Sequence, residues 1–364
     1  MANLSQIRRK KMLEFLENLK EQHTDDASLI AINQIERELT AKKYGLVWEE
    51  HEEEVDVKMQ THIPVFTEVE DKEIVGDHEN EQYNFLLEGD NLHSLKLLEK
   101  THKGKIDVIY IDPPYNTGHK DFVYDDAFVD RQDGYSHSKW ISFMEKRLRI
   151  AHALLKPAGT IFISIDDNEY ANLKLLCDEI FGEESMISDI IWNSRKSVSN
   201  DAVVSLNHNY TLVYTRNINE FNKIKHLFKL ANSEDGFSNP DNDPRGPWKA
   251  DPFDAPAVRP NLTYEITNPN TGKKFLPPNG RHWRTEEGKY LELLADNRIV
   301  FGKSGKSKPQ QKRFLSEAQQ KGATPKSLWD DCGTASDGTK ELQSIFGTKV
   351  FDTPKPTGLI KKFI

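Results

Sequence analysis

Residues 84–216 alternate between two patterns of apolar positions. Short runs of β-branched and aromatic residues predict buried strands at 85–87, 106–111, 159–167, 187–193 and 210–216. Apolar residues at helical spacing predict helices after Asp90, over 137–155 and over 172–182. Because strand–helix–strand units build parallel sheets, this region predicts an α/β fold.

The flanking regions have different patterns. Residues 4–45 place apolar residues at helical spacing, and the acidic run EEHEEEVD at 49–56 predicts a solvated link. From about residue 217 the chain becomes rich in Pro, Asn, Asp and Gly, which predicts a loop-rich insertion with short strands. We therefore divide the chain into a helical and linker region (1–80), an α/β part (81–216) and an insertion that begins at about residue 217.

Composition narrows the class of protein. No apolar run approaches the roughly 18 residues of a membrane span, and the first residues lack the apolar segment of a signal peptide. Cys177 and Cys332 are the only cysteines, are far apart and form no CxxC pair. We therefore expect no disulfide framework, no zinc or other metal site, no membrane association and a cytoplasmic location.

Charge is distributed unevenly. The formal net charge is -9, but residues 191–364 carry 27 Lys and Arg against 19 Asp and Glu, so +8, which leaves -17 for residues 1–190. A basic half favours nucleic-acid binding, although a chance difference between two solvated surfaces is the alternative. The insertion contains eight candidate DNA-binding residues, three of them in a loop (302–313) that is equally typical of a solvated loop: Arg259, Lys273, Lys274, Arg281, Arg284, Lys303, Lys306 and Lys308.

The stretch VIYIDPPYNTG (108–118) is the best candidate for chemistry. Pro113 and Pro114 cannot donate to a strand ladder, so they end the strand, and ligands of α/β sheets bind beyond the carboxyl ends of strands. The stiff loop would hold Asp112 and Tyr115 in a fixed relation. The alternative is a plain strand terminator with Asp112 as a turn residue. Asp90 would follow the neighbouring predicted strand, but it also fits a simple helix cap.

DPPY after an apolar strand resembles motif IV of the amino-methyltransferases that act on DNA. The resemblance extends over nearly the whole chain through FLLEGDNLHSL, LLKPAGTIFISIDDNEY, HNYTLVYTR and KELQSIFGTKVFDTPKPTGLIKKFI. Together these stretches resemble the modification subunit of type III restriction–modification systems.

This resemblance implies a Rossmann-like methyltransferase sheet in the circularly permuted, β-class order, with S-adenosylmethionine as cofactor. It implies that 81–216 and 326–364 belong to the methyltransferase domain and that 217–325 is an inserted target-recognition domain. In the family an FxGxG cofactor loop follows the recognition region, and this sequence contains no FxGxG. We therefore expect an incomplete sheet in a chain truncated before that motif.

The resemblance also implies roles for individual residues. The catalytic motif comprises Asp112, Pro113, Pro114 and Tyr115. The cofactor-binding residues are Asp90, Asn91, Asp112 and the KP element of Lys355 and Pro356. An exocyclic amine is a poor nucleophile because its lone pair is delocalised into the ring. Acceptors at the Asp112 carboxylate and the Pro113 carbonyl favour a tetrahedral nitrogen and so help most in the transition state, while Tyr115 can stack on a base flipped from the duplex.

No cysteine follows the prolines, so a covalent cytosine route has no nucleophile there. By resemblance, Asp before PPY favours N6 of adenine over N4 of cytosine.

The implied partners are double-stranded DNA, a second modification subunit in a homodimer, and a helicase–nuclease restriction subunit. The open alternatives are a non-catalytic DNA-recognition or assembly piece of a split enzyme, and an N4-cytosine or RNA amino-methyltransferase.

Overall fold

The computed structural model describes residues 4–23, 25–40, 48–73, 84–118, 121–124, 127–130 and 133–363. The chain forms two compact units. The first comprises Met1–Phe221 and Ser327–Ile364, and the second comprises Asn222–Lys326.

Helices occupy much of the first unit, and their bounds are α1 (Leu4–Gln22), α2 (Asp26–Thr40), α3 (Glu54–Met59), α4 (Asn91–His102), α5 (Ser136–Leu154), α6 (Tyr170–Phe181), α7 (Ile218–Ile224, which runs into the second unit), α10 (Ala335–Phe346) and α11 (Thr357–Ile360). The predicted helical stretch at 4–45 is interrupted before α2, where the Asp25 carboxylate accepts a hydrogen bond from the Ser28 amide at 2.9 Å. Residues 41–45 of that prediction lie outside the described part of the chain.

The acidic run at 49–56 is not a solvated link, so that prediction is wrong. Glu53 is buried, and its carboxylate accepts two hydrogen bonds from the Arg147 guanidinium, at 2.8 and 3.0 Å. Val55, in α3, packs against Leu92 and Ile150. The run is drawn inward because α5 buries an arginine that needs an acidic partner, and a local charge pattern carries no sign of that distant arginine.

A five-stranded mixed sheet forms the centre of the first unit, in the order β1–β4–β6–β5–β14. Its strands are β1 (Ile106–Ile111), β4 (Leu155–Ile165), β5 (Met186–Trp192), β6 (Asn209–Thr215) and β14 (Leu328–Trp329), and a separate small hairpin joins β2 (Val123–Tyr124) to β3 (Ala127–Phe128). β1 and β4 are parallel, whereas β6 is antiparallel to both β4 and β5. The α/β class is thereby confirmed, and the carboxyl ends of β1, β4 and β5 share one edge with the start of β6.

Two strand predictions differ from the structure. Residues 85–87 form no strand, and Leu86 is 92% exposed. Consequently β1 has no partner on its outer side among the described residues, and it is partly exposed instead of fully buried. A three-residue apolar run fits a strand locally, but pairing needs a neighbouring ladder that such a run cannot specify.

The predicted strand at 159–167 begins earlier in the structure: β4 starts at Leu155, directly after α5, so Pro157 and Gly159 lie inside the strand. A register shift between Ile106 and Val108 marks a bulge that accommodates these residues. A side chain at Gly159 would lie 2.9 Å from the Ile106 carbonyl, so glycine permits the close approach of the two strands.

The two faces of the sheet are covered differently. Helices α5 and α6 cover one face, where buried residues of helices and strands form one core: Trp140, Met144, Leu148, Ile161, Ile163, Leu173, Leu176, Leu212 and Tyr214. On the other face the Phe363 ring stacks against Tyr110 and Trp329 and contacts Phe162, at centroid distances of 4.9 to 5.4 Å. The C-terminal segment is thus anchored to the sheet by aromatic packing.

The second unit is built from short elements: β7 (Trp248–Pro252), β8 (Asp254–Pro256), β9 (Ile266–Thr267), β10 (Lys274–Phe275), β11 (Arg281–Trp283), α8 (Glu287–Ala295), β12 (Ile299–Val300), β13 (Gln310–Phe314) and α9 (Leu315–Lys321). Strands β12, β13 and β7 form a three-stranded antiparallel sheet. Buried Phe253, Trp283, Tyr290 and Phe301 belong to a core of its own. In the described ranges, no helix is both long and apolar enough to cross a membrane.

Candidate active site

The DPPY loop lies at the carboxyl end of β1, and the neighbouring helix holds it in place. The indole nitrogen of Trp140, which is fully buried on α5, donates to the Pro114 carbonyl at 2.7 Å. Asn116, two residues after Pro114, has a positive φ of 57°, a conformation that Asn tolerates better than most residues. The loop is therefore fixed by a buried hydrogen bond as well as by its prolines.

Lys355 brings the KP element to the DPPY loop. Its ammonium lies 2.9 and 2.7 Å from the two carboxylate oxygens of Asp112 and 5.1 Å from the centroid of the Tyr115 ring. A side chain at Gly338 of α10 would meet the Pro354 carbonyl at 2.6 Å and the Pro356 nitrogen at 2.9 Å. Glycine therefore lets residues 354–356 lie directly against α10, which sets the position of Lys355.

Tyr115 presents a polar atom without a partner. Its hydroxyl is buried and makes no hydrogen bond within the described residues. Burial raises the pKa of Tyr115, and the negative charge of Asp112 acts in the same direction, so the hydroxyl stays protonated. A protonated, unpaired hydroxyl in a site is available as a hydrogen-bond donor or acceptor for a ligand.

Asp166 follows β4 at the same edge of the sheet, and its place in the sequence indicates no role. Burial raises the pKa of Asp166 despite hydrogen bonds from Asn168, and the charges of Asp167 and Asp121 act in the same direction as burial. The Asp167 carboxylate accepts a hydrogen bond from the Tyr210 hydroxyl at 3.0 Å. This edge of the sheet therefore carries several carboxylates, and the Asp112 carboxylate pairs with the Lys355 ammonium.

Sequence reasoning missed a buried acid behind the loop. Glu169 is fully buried at the start of α6. One of its oxygens contacts the Asn116 amide at 2.5 Å and the His137 Nδ1 at 2.6 Å, and the other accepts from Asn172 at 2.8 Å. Glu169 thus ties the residue after DPPY to α5 and α6. In the sequence it is one acid among several before a helix, so only the fold distinguishes it.

The two other predicted cofactor residues have structural contacts. The Asp90 carboxylate accepts from the Leu92 amide at 2.8 Å and caps α4, as its alternative interpretation proposed. The Asn91 side chain accepts from Arg147 at 2.6 Å. Among the described residues, no hydrogen bond or ion pair links either residue to Asp112, so the structure groups Asp112, Tyr115 and Lys355 and leaves Asp90 and Asn91 outside that contact set.

The eight basic candidates of the second unit fall into two groups. Buried Asp254 forms ion pairs with Arg281 and with Lys308 (2.6 Å), and Lys274 pairs with Glu265 at 2.7 Å. The ammonium of Lys273 donates to the Lys306 carbonyl at 2.9 Å.

Like Lys273, the remaining four are exposed and have no ion-pair partner within the described ranges: Arg259, Arg284, Lys303 and Lys306. These five have the free charge that phosphate contacts require, whereas the charges of Arg281 and Lys308 are partly neutralised inside the unit.

The family model for DNA methylases matches residues 106–364. The chain is 40% identical over 309 residues to the type III restriction-modification enzyme StyLTI Mod subunit of Salmonella typhimurium, an alignment that covers 78% of this chain and 46% of that protein. It is 34% identical over 307 residues to the type II methyltransferase M.KpnI of Klebsiella pneumoniae, covering 76% of this chain and 69% of that protein.

A third relative is the EcoPI Mod subunit of Escherichia phage P1, 31% identical over 90% of this chain and 58% of that protein. The chain thus spans about half the length of the type III relatives in these two comparisons. A solved complex of M1.HpyAVI with S-adenosylmethionine matches with a TM-score of 0.25 and 15% identity, over 43% of this chain and 60% of that one, which is too weak a likeness to bear on function. The match over residues 106–364 and the similarity to M.KpnI show that the chain belongs to the DNA methylase family.

Proposed function

We propose that this chain is the catalytic part of a site-specific DNA methyltransferase that methylates N6 of adenine. The observation that carries the proposal is the DPPY loop, held at the carboxyl edge of the sheet with Asp112 oriented by Lys355. A carboxylate has about four lone-pair sites, so the two contacts with Lys355 leave acceptor capacity on Asp112. That capacity suits an exocyclic amine, whose N–H groups need an acceptor as the nitrogen becomes tetrahedral.

S-Adenosylmethionine is the proposed cofactor, and it supplies an electrophilic methyl group when bound. The residues present fit such a group in two respects. The Lys355 ammonium has three donors, and its two contacts with Asp112 leave one for a ligand carboxylate, while the buried Tyr115 hydroxyl lacks a partner among the described residues. Asp112 accepts an amine N–H, while the Tyr115 ring offers a face on which a flipped base can stack. Because a flipped base loses hydration water when it enters the site, these contacts act in a partly desolvated environment.

The second unit, with the flanking residues of 217–325, is the proposed target-recognition domain. Residues 222–326 carry 19 Lys and Arg against 12 Asp and Glu, which is a net charge of +7. Because the net charge of the whole chain is -9, the remaining residues carry -16. A basic unit within an acidic chain concentrates the attraction for phosphates there. Double-stranded DNA is accordingly the proposed substrate.

The biological setting proposed is a type III restriction–modification system, because two of the relatives are named as Mod subunits of such enzymes. In that setting the chain acts with a restriction subunit, and a homodimer of modification subunits stays a prediction from the sequence. The size of the purified chain, measured by light scattering with and without DNA, tests the homodimer.

The test of the function is transfer of a labelled methyl group from S-adenosylmethionine to mixed-sequence duplex DNA by this chain, followed by nucleoside analysis. N6-Methyladenine is the expected product. N4-Methylcytosine would overturn the base assignment while keeping amino-methyl transfer. In a parallel reaction with RNA of the same sequence, labelling of the RNA and not of the DNA would overturn the substrate. A folded sample that binds DNA without any transfer would favour the alternative of a non-catalytic recognition piece.

A further inference from the structure

The loop that joins β5 to β6, residues 193–208, leaves the sheet at the edge that holds Asp112. Ile111 pairs with Ile163 on β4, and Ile163 pairs with Leu212 on β6, so Asp112 is level with Thr211, two residues inside the start of β6. Adjacent strands are about 4.8 Å apart. The start of β6, two strands away, therefore lies roughly 10 Å across the sheet from the end of β1.

Hydrogen bonds hold the base of this loop in a defined shape. The Asn207 side chain donates to the Arg195 and Ser197 carbonyls, both at 2.8 Å, and the Arg195 amide donates to the Asn207 carbonyl at 3.1 Å. Further out, the Ser199 amide donates to the Ser205 hydroxyl at 2.9 Å. These bonds close a narrow neck, and residues 200–204 project beyond it as a short tip.

The outer part of the loop is apolar and exposed to solvent. Val203 is fully exposed and Val204 is 76% exposed, and Val198 and Leu206 flank them with 68% and 64% exposure. Apolar side chains grouped on one ordered projection are typical of a surface that is covered by a partner. Because the loop is already closed by its own hydrogen bonds, little conformational entropy remains to be lost when a partner covers it.

The start of the same loop is basic. Arg195 and Lys196 are exposed and have no ion-pair partner within the described residues. Hydrogen bonds from Thr334 lower the pKa of Asp337 in α10, and the more distant charge of Lys196 makes a small contribution in the same direction. Asp201 is the loop's own acid. The first unit as a whole is strongly acidic, so two adjacent cations beside an apolar tip stand out. They favour a binding partner that is a polyanion with an apolar interior, which is the character of duplex DNA.

We propose that residues 193–208 form a wedge that enters duplex DNA beside the nucleotide presented to Asp112. Arg195 and Lys196 contact backbone phosphates, and Val203 and Val204 enter the base stack and fill the space that the flipped base vacates. Apolar side chains in other DNA-bending proteins enter base steps in this way, against an unstacking cost of a few kcal/mol. The inference rests on the proposed function, because it takes DNA as the substrate.

The test compares the binding of the 364-residue chain to two short duplexes, one fully paired and one with a single central abasic site. An abasic site lowers the unstacking cost, so a wedge binds it more tightly. We expect a preference of at least about fivefold for the wild-type chain, since roughly 1 kcal/mol of saved unstacking gives that factor. The double variant Val203→Ser/Val204→Ser should bind both duplexes equally while binding the paired duplex within about twofold of wild type.

The control is Val65→Ser, which changes a valine of similar exposure outside the loop and should retain the wild-type preference. An unchanged preference in the double variant would overturn the wedge and leave the valines to a protein partner. Equal binding of both duplexes by the wild-type chain would overturn the wedge alone, with DNA binding intact. Equal weakening on both duplexes by the double variant would mean a surface contact and not insertion. No binding of either duplex by the wild-type chain would overturn the proposed function itself.

Discussion

Lys355 donates to both carboxylate oxygens of Asp112, at 2.9 and 2.7 Å, from a position 243 residues further along the chain. Two contacts from one ammonium fix the rotation of the carboxylate about its side-chain bond. Lys355 is thus a positioning residue, since it sets the direction in which Asp112 can accept a further hydrogen bond.

Replacing Lys355 by Met keeps the length of the side chain and removes the charge. We expect the rate of methyl transfer at saturating DNA and saturating S-adenosylmethionine to fall about tenfold to a hundredfold, because a misplacement of about 1 Å has effects of that size. Affinity for DNA should change little. The measurement is single-turnover transfer together with a binding isotherm, and Lys355→Arg should restore part of the rate.

The matched control is Lys362→Met. Lys362 pairs with Asp331 and lies 5.0 Å from the Trp329 ring centroid, which reproduces the surroundings of Lys355 without contacting the DPPY loop. A similar loss of rate in both variants would assign the effect to the packing of the C-terminal segment and would contradict a specific role for Lys355.

The indole of Trp140 should support the active loop through its hydrogen bond to Pro114. Trp140→Phe removes the donor and leaves a small cavity, so we expect a loss of about 1–4 kcal/mol in the free energy of unfolding. Methyl transfer well below the unfolding temperature should also fall, because the Pro114 carbonyl is released.

Trp283→Phe is the matched control for that variant. Trp283 is fully buried too, and its indole donates to the Tyr264 carbonyl at 2.8 Å within the second unit. Its loss of stability should be similar, and the transfer rate at saturating DNA should stay near that of the wild type. Equal rates for both variants would show that the bond to Pro114 has no effect on the chemistry.

Glu169 connects the residue after DPPY to both helices that cover the sheet. In Glu169→Gln one oxygen becomes an NH₂ group that faces the donors of Asn116 or Asn172, so we expect a loss of about 1–3 kcal/mol in unfolding free energy. We also expect transfer to fall by about tenfold or more as the loop shifts.

Asp178→Asn provides the comparison on the same helix. Asp178 accepts from the Tyr214 hydroxyl at 2.7 Å at the far end of α6. The Asp178→Asn variant should have a lower free energy of unfolding and an unchanged rate of methyl transfer. Unaltered transfer in Glu169→Gln would remove Glu169 from the positioning of the loop.

The elements predicted correctly from the sequence are those whose cause is local. The stripe of Trp140, Met144 and Leu148 indicates α5, and the apolar runs of β4, β5 and β6 indicate strands of the core, all within a few residues of their observed bounds. The two prolines likewise mark the end of β1. In each case short-range spacing determines which side chains can be buried together.

The parts that could not be predicted depend on contacts between distant residues. Glu53 is buried because Arg147 lies in α5, and the missing strand at 85–87 reflects the lack of a neighbouring ladder. Arg281 and Lys308 both pair with buried Asp254, contacts across 27 and 54 residues of the chain that no charge pattern indicates. A charge pattern shows where cations occur in the chain and not which of them are neutralised by the fold.

The division of the basic residues leads to a salt-dependence prediction. Lys303→Ala/Lys306→Ala removes two exposed cations without an ion-pair partner among the described residues, so the slope of log affinity against log salt should become shallower by about 1.8, near 0.9 for each phosphate contact. Lys308→Ala should leave the slope unchanged and lower the stability of the second unit, because buried Asp254 loses a partner. DNA-binding isotherms at several salt concentrations measure both, and an equal change of slope in the two variants would contradict this division.

His152 gives the first unit a pH dependence whose sign follows from its surroundings. The ring lies on α5, 5.1 Å from the Phe181 ring, and burial lowers the pKa of His152, with the charge of Arg216 acting in the same direction. A lowered pKa means that the folded chain binds fewer protons than the unfolded chain near the usual histidine value of about 6.5. The stabilising contribution is therefore present above that value and is lost as the pH falls through the folded-state pKa.

Replacing His152 by Gln, which has no charge at any pH, should remove this contribution. We expect the free energy of unfolding of the wild-type chain to fall more steeply than that of His152→Gln as the pH is lowered from about 7.5 to about 5. Urea denaturation at a series of pH values measures the two curves, and their difference isolates His152 because every other titrating group is shared. A variant that loses as much stability as the wild type over this range, or more, would mean that the imidazole is not held neutral by burial and by Arg216.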